Sequence, residues 1–250
     1  MHPKIVFLDM EGTLLKKEYR LDDGLVAPSA WTLLAERLGQ DCLRDEQDTK
    51  KQWLAGGYKN YLQWMKATVD IHRRYKLTEA VFREVIESVE FMPGVDEALA
   101  DLRGWAATTV LISGGFKALA DRVQRRLRID HALSGCEYFF DAASGQIEHF
   151  NLLPADERGK ADFMRLMCVE HQVDPHDCAF VGDGMNDIHL AREVGFSVAF
   201  NAQEALRAVS AAVIDQATGN EDFREVVSVL GDRFARRDMR KDANLRTVSP

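Results

Sequence analysis

The sequence predicts an α/β protein: a three-layer, Rossmann-like parallel sheet core with an inserted helical cap domain. Three observations indicate this fold class. Short apolar runs recur along the chain, helical patterns lie between them, and one helical stretch is too long for a single crossover. Continuous apolar runs are typical of strands buried on both faces, and strands that alternate with helices pair in parallel through right-handed crossovers.

Each predicted strand is a run of apolar or β-branched residues that stops at a polar residue. The runs cover residues 4–8, 108–112, 179–181, 197–200 and 211–214. Residues 136–147, with two adjacent phenylalanines and a Ser144-Gly145 turn, predict an antiparallel hairpin at the sheet edge. Helical patterns between the strands cover residues 95–102, 116–127, 160–171, 188–194 and 203–209.

Residues 16–90 interrupt this alternation with helical periodicity, for example Trp31, Leu34 and Leu38 on one face. Roughly 75 residues of this kind are too many for an ordinary crossover. We predict a core from residues 1–15 and 91–232, a helical cap from residues 16–90, and a flexible tail from residues 233–250. The tail holds six basic and two acidic residues and almost no apolar pattern.

Composition excludes several functional classes. The 250 residues carry 32 basic and 40 acidic side chains, a net charge of −8, which disfavours general binding to nucleic acid or to an anionic membrane. No apolar run approaches the roughly 18 residues of a membrane span, and the first residues do not resemble a signal peptide. Four cysteines without a CxxC pair fit a reducing compartment, so we expect a cytoplasmic protein.

Three predicted strands are followed by polar residues suited to one site: Asp9, Ser113 and Asp183, each close to glycine. The carboxyl ends of parallel strands meet at one edge of the sheet, where ligands bind in open α/β folds. A single such residue is more often a helix cap or a turn former. The three together predict a ligand site at this edge.

Four segments in chain order resemble the four motifs of the haloacid dehalogenase-like hydrolases. They are Asp9-Met10-Glu11-Gly12-Thr13, Ser113-Gly114-Gly115, Lys160 and Gly182-Asp183-Gly184-Met185-Asn186-Asp187. The cap insertion between the first and second motifs is also similar. Within this superfamily the chain looks most like the phosphoserine phosphatase-like branch, over about residues 4–230.

The resemblance implies a Mg²⁺-dependent phosphatase that hydrolyses a small phosphorylated metabolite through an aspartyl-phosphate on Asp9. Mg²⁺ would bind Asp9, Asp183 and the backbone carbonyl of Glu11. The phosphate would be held by Ser113, Gly114, Gly115, Lys160 and Asn186. Asp187 would orient Lys160 or a metal-bound water.

Glu11 departs from the family pattern, in which most phosphatases have an aspartate that acts as general acid and then as general base. Glutamate keeps a titratable carboxyl and adds one methylene, about 1.5 Å of reach. We predict that Glu11 takes this role, because the acid/base is otherwise missing. The alternative is an outward-facing partner in a surface salt bridge.

The cap of phosphoserine phosphatases holds the substrate ammonium with a glutamate and its carboxylate with an arginine. Hand alignment places Ser29 and Thr68 at these positions, which disfavours phosphoserine as substrate because neither charge is present. A shifted register would bring Lys66, Arg73 or Arg74 to the arginine position, although surface positions are expected for all three.

Several side chains allow a second interpretation. The cap aromatics and Met65 (Trp53, Tyr58, Tyr61, Trp64) are expected in a helix-bundle core, with stacking on a nucleobase or sugar as the alternative. The cluster of His171, His176 and Cys178 is expected to be a plain loop, with a zinc site as the alternative. His149 and His189 are expected to be structural.

Two other functions stay open at this point: phosphotransfer to an acceptor alcohol, and a non-catalytic member of the fold that binds a partner. The replacement of the usual aspartate by Glu11 supports the non-catalytic function. The intact nucleophile, the metal carboxylates and Lys160 count against it. A dehalogenase would leave Lys160 and the acidic fourth motif harder to explain. The missing membrane spans exclude a P-type ATPase. The leaving group and the oligomeric state are not indicated by the sequence.

Overall fold

A computed structural model describes residues 2–17 and 29–234, and the backbone alone of residues 19–20 and 26–27. The main sheet contains strands β1 (Ile5–Leu8), β4 (Thr108–Phe116), β5 (His131–Phe140), β6 (Ile147–Leu152), β7 (Cys178–Gly182), β8 (Phe196–Phe200) and β9 (Ala212–Ile214). Their order across the sheet is β6-β5-β4-β1-β7-β8-β9. Strands β2 (Tyr19–Arg20) and β3 (Val26–Ala27) form a separate antiparallel pair.

The centre of the sheet is β1, which pairs in parallel with β4 on one side and with β7 on the other. All four β1 residues are fully buried, as the continuous apolar run predicts. The β5–β6 pair is antiparallel and lies at one edge of the sheet, which confirms the predicted hairpin.

Apolar residues alternate between the two faces of the sheet and belong to two separate core clusters. Val6 and Leu8 pack with helices α5 (Val95–Gly104) and α6 (Lys117–Leu127). Ile5 and Phe7 pack with α7 (Arg158–Glu170), α8 (Ile188–Ala191) and α9 (Glu204–Arg207). Helices therefore cover both faces, and the predicted three-layer α/β core is confirmed.

Four helices follow the first strand: α1 (Ala30–Arg37), α2 (Gln40–Leu54), α3 (Tyr61–Arg74) and α4 (Glu79–Ser88). They contact one another in the pairs α1–α2, α2–α3 and α1–α4. The chain enters and leaves this helical region along adjacent paths, because Lys16 N donates to Glu90 O and Met92 N donates to Leu14 O, each at 2.9 Å. The division into core and cap at these junctions stays a prediction.

Several elements differ from the sequence prediction. The β2–β3 strand pair lies within residues 16–90, where the sequence predicts helices, and β5 begins at His131 and not at residue 136. Strand β4 continues to Phe116 instead of ending at residue 112, because a bulge keeps it paired with β5 where Gly135 packs directly against the Gly114 backbone. Residues 224–234 form a helix, α10, which buries Val226, Leu230 and Phe234 at helical spacing and includes the first two residues of the predicted tail. The rest of that tail lies outside the described residues.

Candidate active site

Asp9, Ser113 and Asp183 meet at the carboxyl edge of the sheet because their three strands are neighbours. Register pairs Leu8 with Val181 in β7, and Asp9 N donates to Val181 O at 3.0 Å. The three side chains are each buried and line one cavity of about 190 Å³. Glu11, Gly114, Gly115 and Asn186 line the same cavity.

Lys160 lies beneath this cavity and is fully buried on α7. Its Nζ donates to Asp9 Oδ1 and to Asp187 Oδ1, both at 2.6 Å. Burial disfavours the charged amine, but the Asp187 and Asp9 carboxylates outweigh this and raise the pKa of Lys160. The ammonium therefore stays charged and fixes the orientation of the Asp9 carboxylate.

Asp187 holds two parts of the site together. Its Oδ1 accepts from Lys160, while its Oδ2 accepts from the backbone N–H groups of Asp183 at 3.1 Å and Gly184 at 3.0 Å. Burial raises the pKa of Asp187, and the Lys160 ammonium opposes the rise. That Asp187 orients Lys160 or a metal-bound water stays a prediction.

The carboxylates of Asp9, Asp183 and Asp187 offer oxygens within 4.8 Å of one another. Burial raises the pKa of Asp183 to about 6, with Asp9 adding to the rise and Lys17 opposing it. An all-oxygen, buried and acidic donor set fits a hard divalent cation such as Mg²⁺. Both oxygens of Asp187 are engaged by Lys160 and the backbone, so Asp9 and Asp183 are the side chains best placed to hold a metal.

Lys17 is a site residue that the sequence analysis missed. Its Nζ contacts Asp183 Oδ2 at 2.6 Å, and although burial disfavours the charged amine, the Asp183 carboxylate raises its pKa. A tight turn after β1 brings it back to the sheet edge, because Gly12 at φ +86° packs against the Asp183 carboxylate, where a Cβ would clash. No local pattern in the sequence indicates this return.

The Glu11 carboxylate lines the cavity and reaches the cap. Its Oε1 accepts from the backbone N–H of Ala30, the first residue of α1, at 2.7 Å. The outward orientation considered as an alternative is not adopted, since the side chain turns toward Gly115.

The second-motif residues form a tight wall of the cavity. Ser113 Oγ accepts from Gly115 N at 3.1 Å. Gly114 has no room for a side chain, because a Cβ would lie 2.5 Å from the Tyr61 hydroxyl and 2.7 Å from the Asp156 carboxylate. Tyr61 Oη donates to Gly114 O at 3.0 Å, so the first residue of α3 contacts the expected phosphate-binding segment.

Asp156 is a second site residue that the sequence analysis missed. Asn186 Nδ2 donates to its Oδ1 at 2.6 Å, so the amide expected to meet phosphate is engaged by this carboxylate. Burial raises the pKa of Asp156, while Lys160, with its Nζ 4.0 Å away, and Asn186 oppose the rise. The only local indication is the position of Asp156 four residues before Lys160.

In the hand alignment, Ser29 and Thr68 occupy the positions at which phosphoserine phosphatases carry the cap glutamate and arginine. Both residues line a second cavity in the helical region. Two proposed replacements lie at the surface instead: Lys66 pairs with Asp70 and Arg74 with Asp45. Arg73 is also exposed. None of the three basic residues lines either cavity.

The cap aromatics divide between packing and cavity walls. Tyr61 and Trp64 line both cavities, and the Trp64 ring stacks on Trp53 with centroids 5.3 Å apart. Met65 is buried and lines the second cavity. The packing interpretation therefore holds for part of the group, while Tyr61 and Trp64 are also accessible to a ligand.

The histidine and cysteine cluster does not converge on one metal. His171 contacts His131, with Nε2 atoms 3.2 Å apart, whereas Cys178 Sγ lies 3.7 Å from Cys168 Sγ in the core. His149 and His189 are exposed and line neither the active-site cavity nor the second one. Within the described ranges no helix is long and apolar enough to span a bilayer.

Comparison with known proteins adds independent findings. The family model of the haloacid dehalogenase-like hydrolases matches residues 3–195. A phosphoserine phosphatase of Albidiferax ferrireducens is 26% identical over 222 residues, covering 85% of this chain and 84% of that protein. Phosphoserine phosphatase SerB2 of Mycobacterium tuberculosis is 32% identical over 138 residues, which cover 54% of this chain and 33% of that protein.

Solved structures share the fold. A phospho-aspartyl intermediate analogue of phosphoserine phosphatase superposes with a TM-score of 0.72 at 18% identity, covering 92% of this chain and 99% of that one. At this identity the likeness establishes the fold alone. The match nevertheless extends over the helical region as well as the sheet.

Proposed function

This chain belongs to the haloacid dehalogenase-like hydrolases and is a phosphoric monoester hydrolase, and from this premise we propose that it hydrolyses a small phosphomonoester through an aspartyl-phosphate on Asp9. One observation carries the proposal: the buried Lys160 ammonium contacts both Asp9 and Asp187, 2.6 Å from each, at the edge where three strands end. The alternative, a non-catalytic member of the fold, predicts no turnover of p-nitrophenyl phosphate with Mg²⁺.

Charge is the first problem that such a site has to overcome. A phosphomonoester dianion and an attacking carboxylate repel one another unless cations lie between them. Lys160 and Lys17 supply two fixed positive charges beside Asp9 and Asp183. Mg²⁺ held by Asp9, Asp183 and the Glu11 carbonyl would neutralise further phosphate charge and polarise the phosphoryl oxygens.

In the first step, an oxygen of Asp9 attacks phosphorus as the ester P–O bond breaks. The leaving oxygen takes the proton of Glu11, whose carboxyl lines the same cavity. The phosphoryl oxygens lie against Ser113 and the Gly114–Gly115 backbone, with Lys160 stabilising their charge. The products of this step are a free alcohol, a phosphorylated Asp9 and an ionised Glu11.

In the second step, Glu11 accepts a proton from water as the water oxygen attacks phosphorus. The bond between phosphorus and Asp9 breaks, which restores the aspartate and releases inorganic phosphate. Glu11 is thereby protonated again and ready for the next turnover. If an alcohol takes the place of water, the same chemistry transfers the phosphoryl group, so product analysis with candidate acceptors separates the two activities.

The direct test is phosphate release from a panel of phosphorylated amino acids, sugars and nucleotides with Mg²⁺, with Asp9→Asn as the blank. We expect at least one compound to be hydrolysed by the wild type and none by Asp9→Asn. A beryllium fluoride mimic should occupy Asp9 in a crystal soaked with Mg²⁺. Hydrolysis that persists in Asp9→Asn, or a mimic bound elsewhere, would contradict the proposal.

A further inference from the structure

Asp156 places an acidic side chain in the cavity that would receive a phosphate dianion. The residue lies in the turn between β6 and α7, its side chain is 15% exposed, and it lines the active-site cavity together with Asp9 and Asn186. A carboxylate beside a bound dianion is unfavourable, because like charges repel most strongly where water is scarce. The Lys160 ammonium, 4.0 Å away, offsets part of this cost, but it also contacts Asp9 and Asp187. An acidic residue in this position is therefore expected to perform a task other than binding phosphate.

The turn that carries Asp156 has a strained backbone. Glu157 has φ +48° and ψ −123°, a conformation that residues with a Cβ rarely adopt. Gly159 N donates to Asp156 O at 2.9 Å, and Gly159 lies against Pro154 O, where a Cβ would clash. Strain of this kind persists only where the surrounding contacts hold the backbone in place. The turn therefore fixes the position from which Asp156 enters the cavity.

The carboxylate of Asp156 fixes the orientation of the Asn186 amide. A carboxylate only accepts hydrogen bonds, so it can meet the nitrogen of this amide but not the oxygen. Asn186 Nδ2 donates to Asp156 Oδ1 at 2.6 Å, and Asn186 Oδ1 lies against Gly184, where a Cβ would clash. The second N–H of the amide stays available to a ligand in the cavity that Asn186 lines. In the opposite orientation the amide would present an oxygen to the phosphate in place of this N–H.

The other oxygen of Asp156 packs against the phosphate-binding segment. A Cβ on Gly114 would lie 2.7 Å from Asp156 Oδ2 and 2.5 Å from Tyr61 Oη, so both side chains lie directly over this glycine. Tyr61 Oη donates to Gly114 O at 3.0 Å. Burial and the Asp156 carboxylate raise the pKa of Tyr61, so the hydroxyl keeps its proton and acts as a donor. Asp156 is therefore held between the second and fourth motifs and cannot turn away from Asn186 without disturbing Gly114.

We propose that Asp156 is a positioning residue of the phosphate site, which turns an N–H of Asn186 toward the phosphoryl oxygens. The inference rests on the proposed phosphatase function and adds to it a residue that acts through another. A carboxylate suits this task better than a neutral acceptor, because a charge-assisted hydrogen bond holds the amide more firmly. The gain is an oriented donor at the phosphate, and the cost is one negative charge that Lys160 partly offsets.

The first test uses two effects of opposite sign on the binding of inorganic phosphate, titrated calorimetrically into the protein with Mg²⁺. If Asp156 were only a negative charge in the wall, Asp156→Ala would tighten phosphate binding by removing a repulsion. A positioning role predicts instead that phosphate binding weakens by about tenfold and that kcat/KM for p-nitrophenyl phosphate falls by about 10- to 100-fold, as for a lost hydrogen bond to a charged group. Asp156→Asn keeps an acceptor oxygen for Asn186 and should recover at least about fivefold of the loss in kcat/KM.

A double-mutant cycle determines whether Asp156 acts through Asn186. In an Asn186→Ala background, Asp156→Ala should lower kcat/KM by no more than about twofold, because the amide to be oriented is absent. A merely structural role would give equal losses in both backgrounds. Asp162→Asn is the matched control, since it removes a carboxylate from the exposed surface of α7, where Asp162 pairs with Arg165. This control should match the wild type in every assay.

A measurement on the wild type alone does not depend on the folding of any Asp156 variant. In the amide NMR spectrum of the isotope-labelled protein, the Asn186 side chain is identified by its absence from the spectrum of Asn186→Ala. Inorganic phosphate should shift one proton of this amide and leave the other, which is bonded to Asp156, nearly in place. Equal shifts of both protons, or no shift of either, would contradict the proposed orientation.

The outcomes separate the inference from the proposed function. Unchanged or tighter phosphate binding by Asp156→Ala overturns the positioning role, and hydrolysis of p-nitrophenyl phosphate by the wild type leaves the phosphatase function intact. Equal losses in the two backgrounds of the cycle also overturn the role of Asp156. A wild type that hydrolyses no phosphomonoester, p-nitrophenyl phosphate included, refutes the proposed function and the inference with it.

Discussion

Replacing Glu11 by glutamine tests the acid/base assignment with little disturbance of the fold. The glutamine carbonyl can still accept from Ala30 N, which lies 2.7 Å from the glutamate oxygen. We therefore expect the free energy of unfolding to change by no more than about 0.5 kcal/mol. Loss of the general base should slow dephosphorylation of Asp9 by about 10²- to 10⁴-fold, equivalent to about 2.7–5.4 kcal/mol of transition-state stabilisation.

The assay is stopped-flow hydrolysis of p-nitrophenyl phosphate with Mg²⁺. Nitrophenolate is a good leaving group that needs little help from an acid, so phosphorylation of Asp9 should continue in Glu11→Gln. The expected trace is a burst of about one nitrophenolate per chain followed by a slow steady state, as for an accumulating covalent intermediate. Glu84→Gln, at an exposed salt bridge with Arg37, serves as control and should match the wild type.

Two results would refute this reasoning: wild-type rates for both steps, or an equal loss in Glu84→Gln.

Glu11→Asp provides a second check on geometry. Shortening the side chain by one methylene would move the carboxylate oxygen to about 4.2 Å from Ala30 N, beyond hydrogen-bond distance. We expect a loss of about 1 kcal/mol in unfolding free energy.

Three further predictions concern the buried charges. Lys160→Met leaves Asp9 and Asp187 buried without their shared cation, so the free energy of unfolding in urea should fall by about 3–5 kcal/mol, whereas Lys66→Met at the surface should change it by less than about 1 kcal/mol. An unchanged urea midpoint for Lys160→Met would contradict the ion-pair geometry. Lys17 and Mg²⁺ would compete for the Asp183 carboxylate, so Lys17→Met should lower the Mg²⁺ dissociation constant several-fold in calorimetric titration. Weaker Mg²⁺ binding by this variant would argue against such competition. The pKa of Asp183 is raised to about 6, so the folded state binds more protons than the unfolded state between about pH 4 and 6. Without metal, the stability of the wild type, measured as Tm, should therefore fall relative to that of Asp183→Asn as pH rises through this window. Mg²⁺ binding should strengthen over the same range. Parallel pH profiles of Tm for the wild type and the variant would contradict the raised pKa of Asp183.

Much of the fold and part of the site could be predicted from local sequence. A continuous apolar run such as Ile5–Leu8 has few structural solutions other than a strand buried on both faces, and the residue after it must emerge at the carboxyl edge. The same logic predicts that Asp9, Ser113 and Asp183 lie together at this edge. Periodicity also indicated most helices, although α10 was missed because its apolar spacing lies beside the basic tail.

The remaining site residues depend on contacts between segments far apart in sequence. Lys17 reaches Asp183 only because a turn at Gly12 reverses the chain, and Asp156 meets Asn186 from a different element, 30 residues away.

The amino-acid sequence by itself determined the strand and helix succession and the edge of the sheet at which Asp9, Ser113 and Asp183 lie, because these follow from short-range periodicity and strand direction. Only the tertiary structure decided which charges are buried, which carboxylate oxygens remain available and what shape the cap presents to a substrate. Burial and pairing depend on distances between segments, and a one-dimensional pattern carries no record of those distances.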